Sequence, residues 1–328
     1  MSGFPTARYL PPYASREEWL TQRRLGIGGS DASIIMGFNR YTSTLDLWDE
    51  KRSKAVPSDD VPSEAAWWGN ALEPIVAERL QGVLEQVDEG YYLRPPDGIL
   101  QNIERPYLLA SLDRIVYRED TGNEPVGIAE VKTVGLRNAG EWGDEGVAMH
   151  ALWQGIHYMA VTGLPVVHFG CLIGGQEFRY RSVYRTDVAD LEEQLLDACE
   201  EFWKHVENGT EPPLVGFSDA NLRSLSRRYP EAIPESSVEV PTNVAAAIEA
   251  YRVASDLERS AKAAKDEMKQ VIAEALKDAE AATYGGEVLA TFKATVRKTI
   301  DTTALKAEKP AIAAQYMKSS VSRTLRVA

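Results

Sequence analysis

Residues 107–134 read YLLASLDRIVY, REDTGNEP and VGIAEVKTV in succession. Two apolar runs flank a loop rich in Gly, Asn, Asp and Pro, the pattern of a β-hairpin with a longer connection. Each run carries charge where a buried strand should not. Asp113 interrupts the first, and Glu130 and Lys132 interrupt the second. Residues two apart on a strand project from the same face, so Glu130 and Lys132 share one. If the runs pair, Asp113 sits beside them. A buried charge must be paired or must hold a metal.

Three explanations compete for this cluster. A structural salt bridge from Lys132 to Asp113 or Glu130 contributes little net stability. A carboxylate pair for glycoside hydrolysis would be held ionised by the intervening lysine. A hard-metal site uses every charge: carboxylate oxygens suit Mg²⁺ or Mn²⁺, which keep waters and bind phosphate. Lys132 then steadies a nucleophilic water or the charge developing on phosphorus. Glu73, directly before Pro74 in a helical pattern, is a fourth candidate. Pro inside a helix disrupts it, so the helix is expected to start afresh near Asn70 or to kink at Glu73.

At 328 residues, with 44% hydrophobic and 26% charged residues, the chain has the composition of one large or two ordinary globular domains. No apolar run approaches a membrane span. MSGFPTARYLPPYAS lacks a signal-peptide layout, so a cytosolic protein is expected. Cys171 and Cys199 are the only cysteines, too few for a disulfide framework, a four-cysteine zinc site or a cysteine-ligated iron–sulfur cluster. A net charge of −13 argues against nucleic acid, but weakly, because a basic channel can lie within an acidic body. Segment 291–328 reverses the balance, with eight Lys and Arg against Asp301 and Glu308, a net of +6.

Along the chain, 1–14 read as an extended arm, and Ser15 with Glu18 as the capping box of a helix reaching Arg23 and Arg24. Gly28 and Gly29 precede a short helix, a place where backbone N–H groups suit phosphate, although a plain helix connection has the same signature. KAVPSDDVPS, 54–63, reads as a polar linker. From Tyr91, YYLRP, GILQNIE, YLLASLDRIVY and VGIAEVKTV read as a meander of strands, and VGLRNAGEWGDEG as a mobile glycine-rich loop. His150 and His157, seven apart on a helix ending at Gly163, and His168 and Cys171 on the strand after it, fit ordinary packing better than metal ligation. Residues 210–243 read as a linker. A helix capped by Asn243 follows, with Leu257, Ala261, Ala264, Met268, Val271 and Ala275 in heptad steps, which fits a seam for a partner helix within or between subunits and equally a helix packed on its own domain. Strand patterns near 287–301 and 319–328 and a helical pair broken at Pro310 complete the chain.

The order of motifs is distinctive. Arg24-Leu-Gly-Ile-Gly-Gly-Ser30, Trp68-Gly-Asn-Ala-Leu-Glu73-Pro, Ser111-Leu-Asp113, Glu130-Val-Lys132 and Gln154-Gly-Ile-His-Tyr158 follow one another. Asp, then Glu-x-Lys on the next strand, resembles the PD-(D/E)xK nuclease superfamily. The full set resembles its lambda-exonuclease branch, the YqaJ viral recombinase family, over roughly residues 16–208, a domain-sized stretch. The resemblance implies an α/β (α+β) restriction-endonuclease-like core, a mixed central sheet flanked by helices, in residues 1–209. After the 210–243 linker, 244–328 form a helical and β extension for oligomer, DNA or partner contacts.

It further implies a 5′→3′ exonuclease of phage or prophage recombination. Such an enzyme digests one strand of linear duplex DNA from a 5′-phosphorylated end and leaves a 3′ single strand for annealing. The implied metal ligands are Asp113, Glu130, the carbonyl of Val131 and Glu73, holding Mg²⁺ or Mn²⁺, two ions per site. Lys132 contacts the attacking water, and Gln154 is counted with the catalytic set. Arg24, Ser30, Ser111, Gln154 and Tyr158 match positions for the 5′-phosphate or the DNA backbone. The loop before Ser30 is one residue longer than the family pattern, which leaves Ser30 against Asp31, and Arg24 against Arg23, open. Implied partners are duplex DNA ends, a single-strand annealing protein, and further copies in a closed ring, a trimer or tetramer, with no membrane. A repair nuclease on the same fold and a non-catalytic DNA-end scaffold are the rival readings.

Overall fold

A computed structural model describes residues 3–53, 63–87, 89–122, 124–143, 146–318 and 323–327. Their contacts divide the chain into two compact units, 1–225 and 226–328.

The first unit is built on a five-stranded sheet. Its strands are β2 (Tyr91–Arg94), β5 (Arg114–Arg118), β6 (Pro125–Val134), β7 (Val166–Ile173) and β8 (Glu177–Tyr184), in that spatial order. β6 and β7 run parallel, and every other neighbouring pair is antiparallel. A parallel pair needs a long crossover, here supplied by α5 (Met149–Thr162). This is the mixed sheet flanked by helices that the sequence led us to expect.

Alternation along β6 decides what covers each face. Ala129 and Val131 pack with Val76, Ala77, Leu80 and Leu84 of α4 (Glu64–Val87). Ile128 turns the other way, into the core formed by α5, α2 (Gly29–Ile35), α3 (Thr44–Arg52) and α6 (Ala189–Asn208). Gly155 lets α5 lie close on the sheet: a Cβ there would fall 2.5 Å from Cζ of Phe169.

A second, three-stranded sheet joins β1 (Ala7–Tyr9), β3 (Leu100–Asn102) and β4 (Leu109–Ala110). The expected extended arm is therefore partly a strand, anchored by buried Phe4 and Ala7, and α1 (Arg16–Arg24) follows it. YLLASLDRIVY is not one strand. It breaks at 111–113 because β4 pairs with β3 while β5 pairs with β2 and β6. VGLRNAGEWGDEG is not simply a loop either: Leu136–Trp142 form a 3₁₀ helix whose Trp142 is buried against Phe169, ring centroids 6.4 Å apart. α4 does not start afresh near Asn70; it runs from Glu64 through Pro74. Nine residues of the polar linker, 54–62, lie outside the described residues.

Helix α7 (Asp219–Arg228) lies within segment 210–243, and the first compact unit extends to Leu225. The second unit holds α8 (Thr242–Leu276), preceded by Pro241 as its cap in place of the expected Asn243. A hairpin of β9 (Ala281–Tyr284) and β10 (Glu287–Thr291) turns through Gly285 and Gly286 at φ 60° and 87°, a two-residue turn that demands glycine. Two short helices, α9 (Thr302–Glu308) and α10 (Pro310–Gln315), divide at Pro310 as expected. The terminal strand is not formed over 323–327.

Candidate active site

The strand break places Asp113. Arg114 pairs with Ala129 across the β5–β6 ladder, and one step further Asp113 comes opposite Glu130. Its Oδ2 accepts the N–H of Val131 at 2.9 Å. The charged residue that spoils a continuous strand thus caps the point where the chain changes sheets.

Glu130 is fully buried. Its Oε1 accepts from Lys132 Nζ at 2.5 Å, whereas Oε2 is buried with no hydrogen-bond partner. Burial, and then the charge of Asp113, push the Glu130 carboxyl up to about 8 against the pull of Lys132. Burial alone would lower Lys132, but the carboxylates of Glu130 and Asp113 outweigh it and raise its pKa.

Lys132 donates a second bond, 3.0 Å, to Oε1 of Gln154. An ammonium has no acceptor, so this contact fixes the amide orientation, and Gln154 Nε2 donates to the Tyr158 hydroxyl at 2.9 Å. Tyr158 in turn donates to the main-chain carbonyl of Ser111 at 2.7 Å. Tyr158 is buried, and burial, with the nearby Glu130 and Asp113 charges, holds its hydroxyl well above the ordinary pKa. Gln154 and Tyr158, one turn apart on α5, therefore tie β6 to the sheet break.

Glu73 faces the same region from α4. It pairs with Arg114 at 2.7 Å, and Arg114 also donates to the carbonyl of Asp113. Gly69, Asn70, Glu73, Asp113, Val131 and Lys132 line a cleft of ≈ 270 Å³. Pro74 has no N–H, so the carbonyl of Asn70 lacks its helical donor. Arg114 escaped the sequence reading: it stands next to Asp113, and nothing in the strand pattern marks it as the partner of a distant glutamate.

Gly28, the cap of α2, and Gly29, its first residue, bring a second group to the site. A Cβ on Gly29 would fall 2.4 Å from Cε1 of Tyr158 and 2.9 Å from Cγ of Gln154. Beside it, Arg23 Nη2 donates to Oγ of Ser30 at 3.0 Å. Asp31 is used differently. It accepts the N–H of Gly28 at 2.9 Å and pairs with Lys51 Nζ at 2.6 Å. Burial would raise the Asp31 pKa, but Lys51 and Arg23 hold it below the ordinary value. Of the alternatives left open, Ser30 is the exposed member and Arg23 the arginine that reaches it; Arg24 lies at the end of α1. Lys51, on α3, carries no sequence signal for this contact.

His157 and His168 are packed, whereas His150 is partly exposed. His157 Nε2 bonds the carbonyl of Leu109 at 2.9 Å, and His168 Nδ1 meets Ser182 Oγ at 2.8 Å. Among the described residues, no group of three or more His, Cys, Asp or Glu side chains is gathered to cage a metal. The candidate donors are two carboxylates and a main-chain carbonyl, an open set of the kind Mg²⁺ uses when it keeps waters and phosphate. The partnerless Oε2 of Glu130 and its repulsion with Asp113 are relieved by a hard cation, so the residues fit one.

The sequence model of the YqaJ-like viral recombinase domain matches residues 18–165. The YqaJ protein of Bacillus subtilis (strain 168) is 33% identical over 300 residues, covering 90% of this chain and 89% of that protein.

The chain belongs to the YqaJ-like viral recombinase family.

Every residue of the site, from Arg23 to Tyr158, lies inside the matched domain. Among solved structures, the alkaline exonuclease LHK-Exo from Laribacter hongkongensis is similar, with 16% identity and a TM-score of 0.44 over 65% of this chain and 97% of that one. A structure of LHK-Exo in complex with dAMP gives a TM-score of 0.43 at 16% identity. No helix among the described residues is long and apolar enough to cross a membrane.

Proposed function

We propose that the protein is a divalent-metal-dependent deoxyribonuclease that digests one strand of linear duplex DNA in the 5′→3′ direction from 5′-phosphorylated ends. The product is a 3′ overhang for recombination by strand annealing. The observation that carries this reading is the convergence of Asp113, fully buried Glu130 and Lys132 at the junction of two sheets, with one Glu130 oxygen left without a partner. A structural ion pair explains Lys132 and Glu130 but leaves that oxygen without a partner and the charge of a second carboxylate, Asp113, beside it.

In this reading Asp113, Glu130 and the carbonyl of Val131 hold Mg²⁺ or Mn²⁺, and Glu73 joins through water or on release from Arg114. A bound divalent cation supplies charge neutralisation for the scissile phosphate and acidifies its water. Lys132 donates to the attacking water or to the phosphoryl oxygen on which charge develops. Gln154 fixes the direction of that donation through its bond to Tyr158. Arg23 and Ser30 take the 5′-phosphate, because guanidinium and hydroxyl donors bind phosphate directly where carboxylates repel it.

A closed ring of copies, a trimer or tetramer, would enclose the DNA and hide a basic lining inside an acidic exterior. A single-strand annealing protein is the fitting partner for the overhang. The test is digestion of linear duplexes bearing 5′-phosphate or 5′-hydroxyl ends, in Mg²⁺ or in EDTA. Mg²⁺-dependent release of mononucleotides, faster from phosphorylated ends, supports the proposal. Folded protein that binds ends without digesting them would establish the scaffold reading instead.

A further inference from the structure

Helix α8 carries its apolar seam in water. Leu276 is its one buried residue, while Leu257, Met268 and Val271 are 66%, 52% and 57% exposed, and Tyr251 and Ile272 about half so. Its 35 residues make a rod of about 52 Å. Leu257, Ala264 and Val271 take heptad position d, and Ala261, Met268 and Ala275 take position a. The ion pairs Glu249–Arg252 and Asp256–Arg259 fall on the opposite side. A seam of this kind is made for a second helix.

We propose that α8 pairs with α8 of a second copy of this chain, antiparallel, about a twofold axis passing between Ala261 and Ala264. The side chains choose this arrangement over the others. In a parallel pair, Leu257 would meet Leu257 and Ala261 would meet Ala261, so bulky and empty layers would stack unevenly. Its flanking contacts would set Glu267 against Ile272 and Val253 against Glu258, with no opposite charges facing. In the antiparallel pair, Leu257 meets Met268 of the second copy, Ala254 meets Val271 and Ala261 meets Ala264. The small central layers permit a close approach, toward the lower end of the ~8–10 Å range for helix axes. On one flank Glu258 faces Lys265, and Tyr251 faces Ile272, each twice by symmetry. The other flank sets Ser260 against Glu267 and Val253 against Glu274.

The same charges fix the register. A slide of one heptad in one direction brings Lys265 onto Lys265, and in the other direction Glu258 onto Glu258. Only the central register places opposite charges together, which is how flanking positions select partner and orientation in coiled coils. The contact is isologous. A twofold of this kind joins two rings as readily as two single chains.

The test uses the full chain with Leu257→Cys and Met268→Cys combined. These positions are too far apart along one helix to bridge within a chain, and native Cys171 and Cys199 are buried. Mild oxidation is expected to give covalent dimer from the double variant and none from either single variant. Dimer from Leu257→Cys alone would mean a parallel pair and overturn the proposal, as would no dimer from the double variant. In the cysteine background, Glu258→Lys is expected to cut cross-linking about tenfold, and Glu258→Lys with Lys265→Glu to restore it. Because both sites are on the helix surface, folding is preserved. Yields indifferent to these charges would equally overturn the register.

Discussion

Gly29 and Tyr158 are in van der Waals contact across α2 and α5, with no room for a side chain at Gly29: an added Cβ would lie 2.4 Å from the tyrosine ring. The site's two halves, Arg23 with Ser30 and Lys132 with Gln154, are held together at this contact. Gly29→Ala must push Tyr158, and with it Gln154, out of place. A cost of roughly 1–3 kcal/mol is expected from such overpacking, together with loss of nuclease activity. Gly28→Ala, whose nearest neighbour would be 3.6 Å away, is expected to cost under about 1 kcal/mol, the capping difference alone. Urea unfolding of both variants separates the two cases; equal destabilisation would refute the contact.

Lys132 makes its bonds to Glu130 and Gln154 with a single ammonium. Under the proposed function it acts on the reacting water or phosphate and not on DNA as a whole. Lys132→Ala is therefore expected to bind duplex ends with near wild-type affinity while its turnover drops by about 10²–10³, the usual scale for removing one transition-state donor. Gel-shift affinity measured in Ca²⁺, set against single-turnover rates in Mg²⁺, checks the split.

End recognition should follow Arg23. Its guanidinium reaches Ser30 at 3.0 Å. Arg23→Ala is expected to abolish the preference for 5′-phosphate over 5′-hydroxyl ends, and Arg24→Ala to keep it. The ratio of initial rates on the two substrates is the readout, and the reverse pattern would return the pocket to Arg24.

Much of this site was legible before the structure because its charges violate a local rule. Asp113, Glu130 and Lys132 stand where strands bury apolar groups, and period-two alternation put Glu130 and Lys132 on one face. The break at 111–113 was not legible, since a run of apolar residues looks the same whether it serves one sheet or two. Pairing of β4 with β3, and of β5 with β2 and β6, makes that choice. The start near Asn70 was misjudged for a related reason: packing of Val76, Leu80 and Leu84 carries the helix through Pro74 despite a local penalty. Arg114–Glu73 and Lys51–Asp31 join residues from separate elements, and no spacing rule reaches across such distances. The exposed seam of α8 was visible as a heptad, whereas its orientation emerges only when the flanking charges are tried in each register.

Metal binding should register as stability. The buried Glu130 carboxyl and its neighbour Asp113 repel each other in the metal-free protein, and a cation that binds only the folded state stabilises it. Magnesium at a hundred times its dissociation constant is expected to add about 2.7 kcal/mol, read as a rise in melting temperature. Asp113→Asn should remove that rise while staying folded. A variant that keeps the full magnesium shift would show that the ion binds elsewhere.

His168 gives a pH test away from the chemistry. Burial pushes its pKa down to about 4 from an ordinary 6.5. The unfolded chain therefore takes up this proton first, and between pH 6.5 and about 4 it binds more protons than the folded state. The stability that neutral His168 contributes is present above pH 6.5 and drains away as pH falls toward 4, by a total of order 3 kcal/mol. Glu130 works in the opposite sense, because its raised pKa favours the folded state as pH falls from about 8 toward 4.5. Asp31, held low by Lys51 and Arg23, begins to weaken the fold only below its ordinary 3.8. Both remain in His168→Gln, so the difference between that variant and the wild type isolates the histidine. Urea unfolding at pH 7.5, 6, 5 and 4.5 is expected to show the wild type losing stability relative to His168→Gln at each step. Parallel curves would mean that His168 protonates in place, with Ser182 and Tyr180 accommodating the charge.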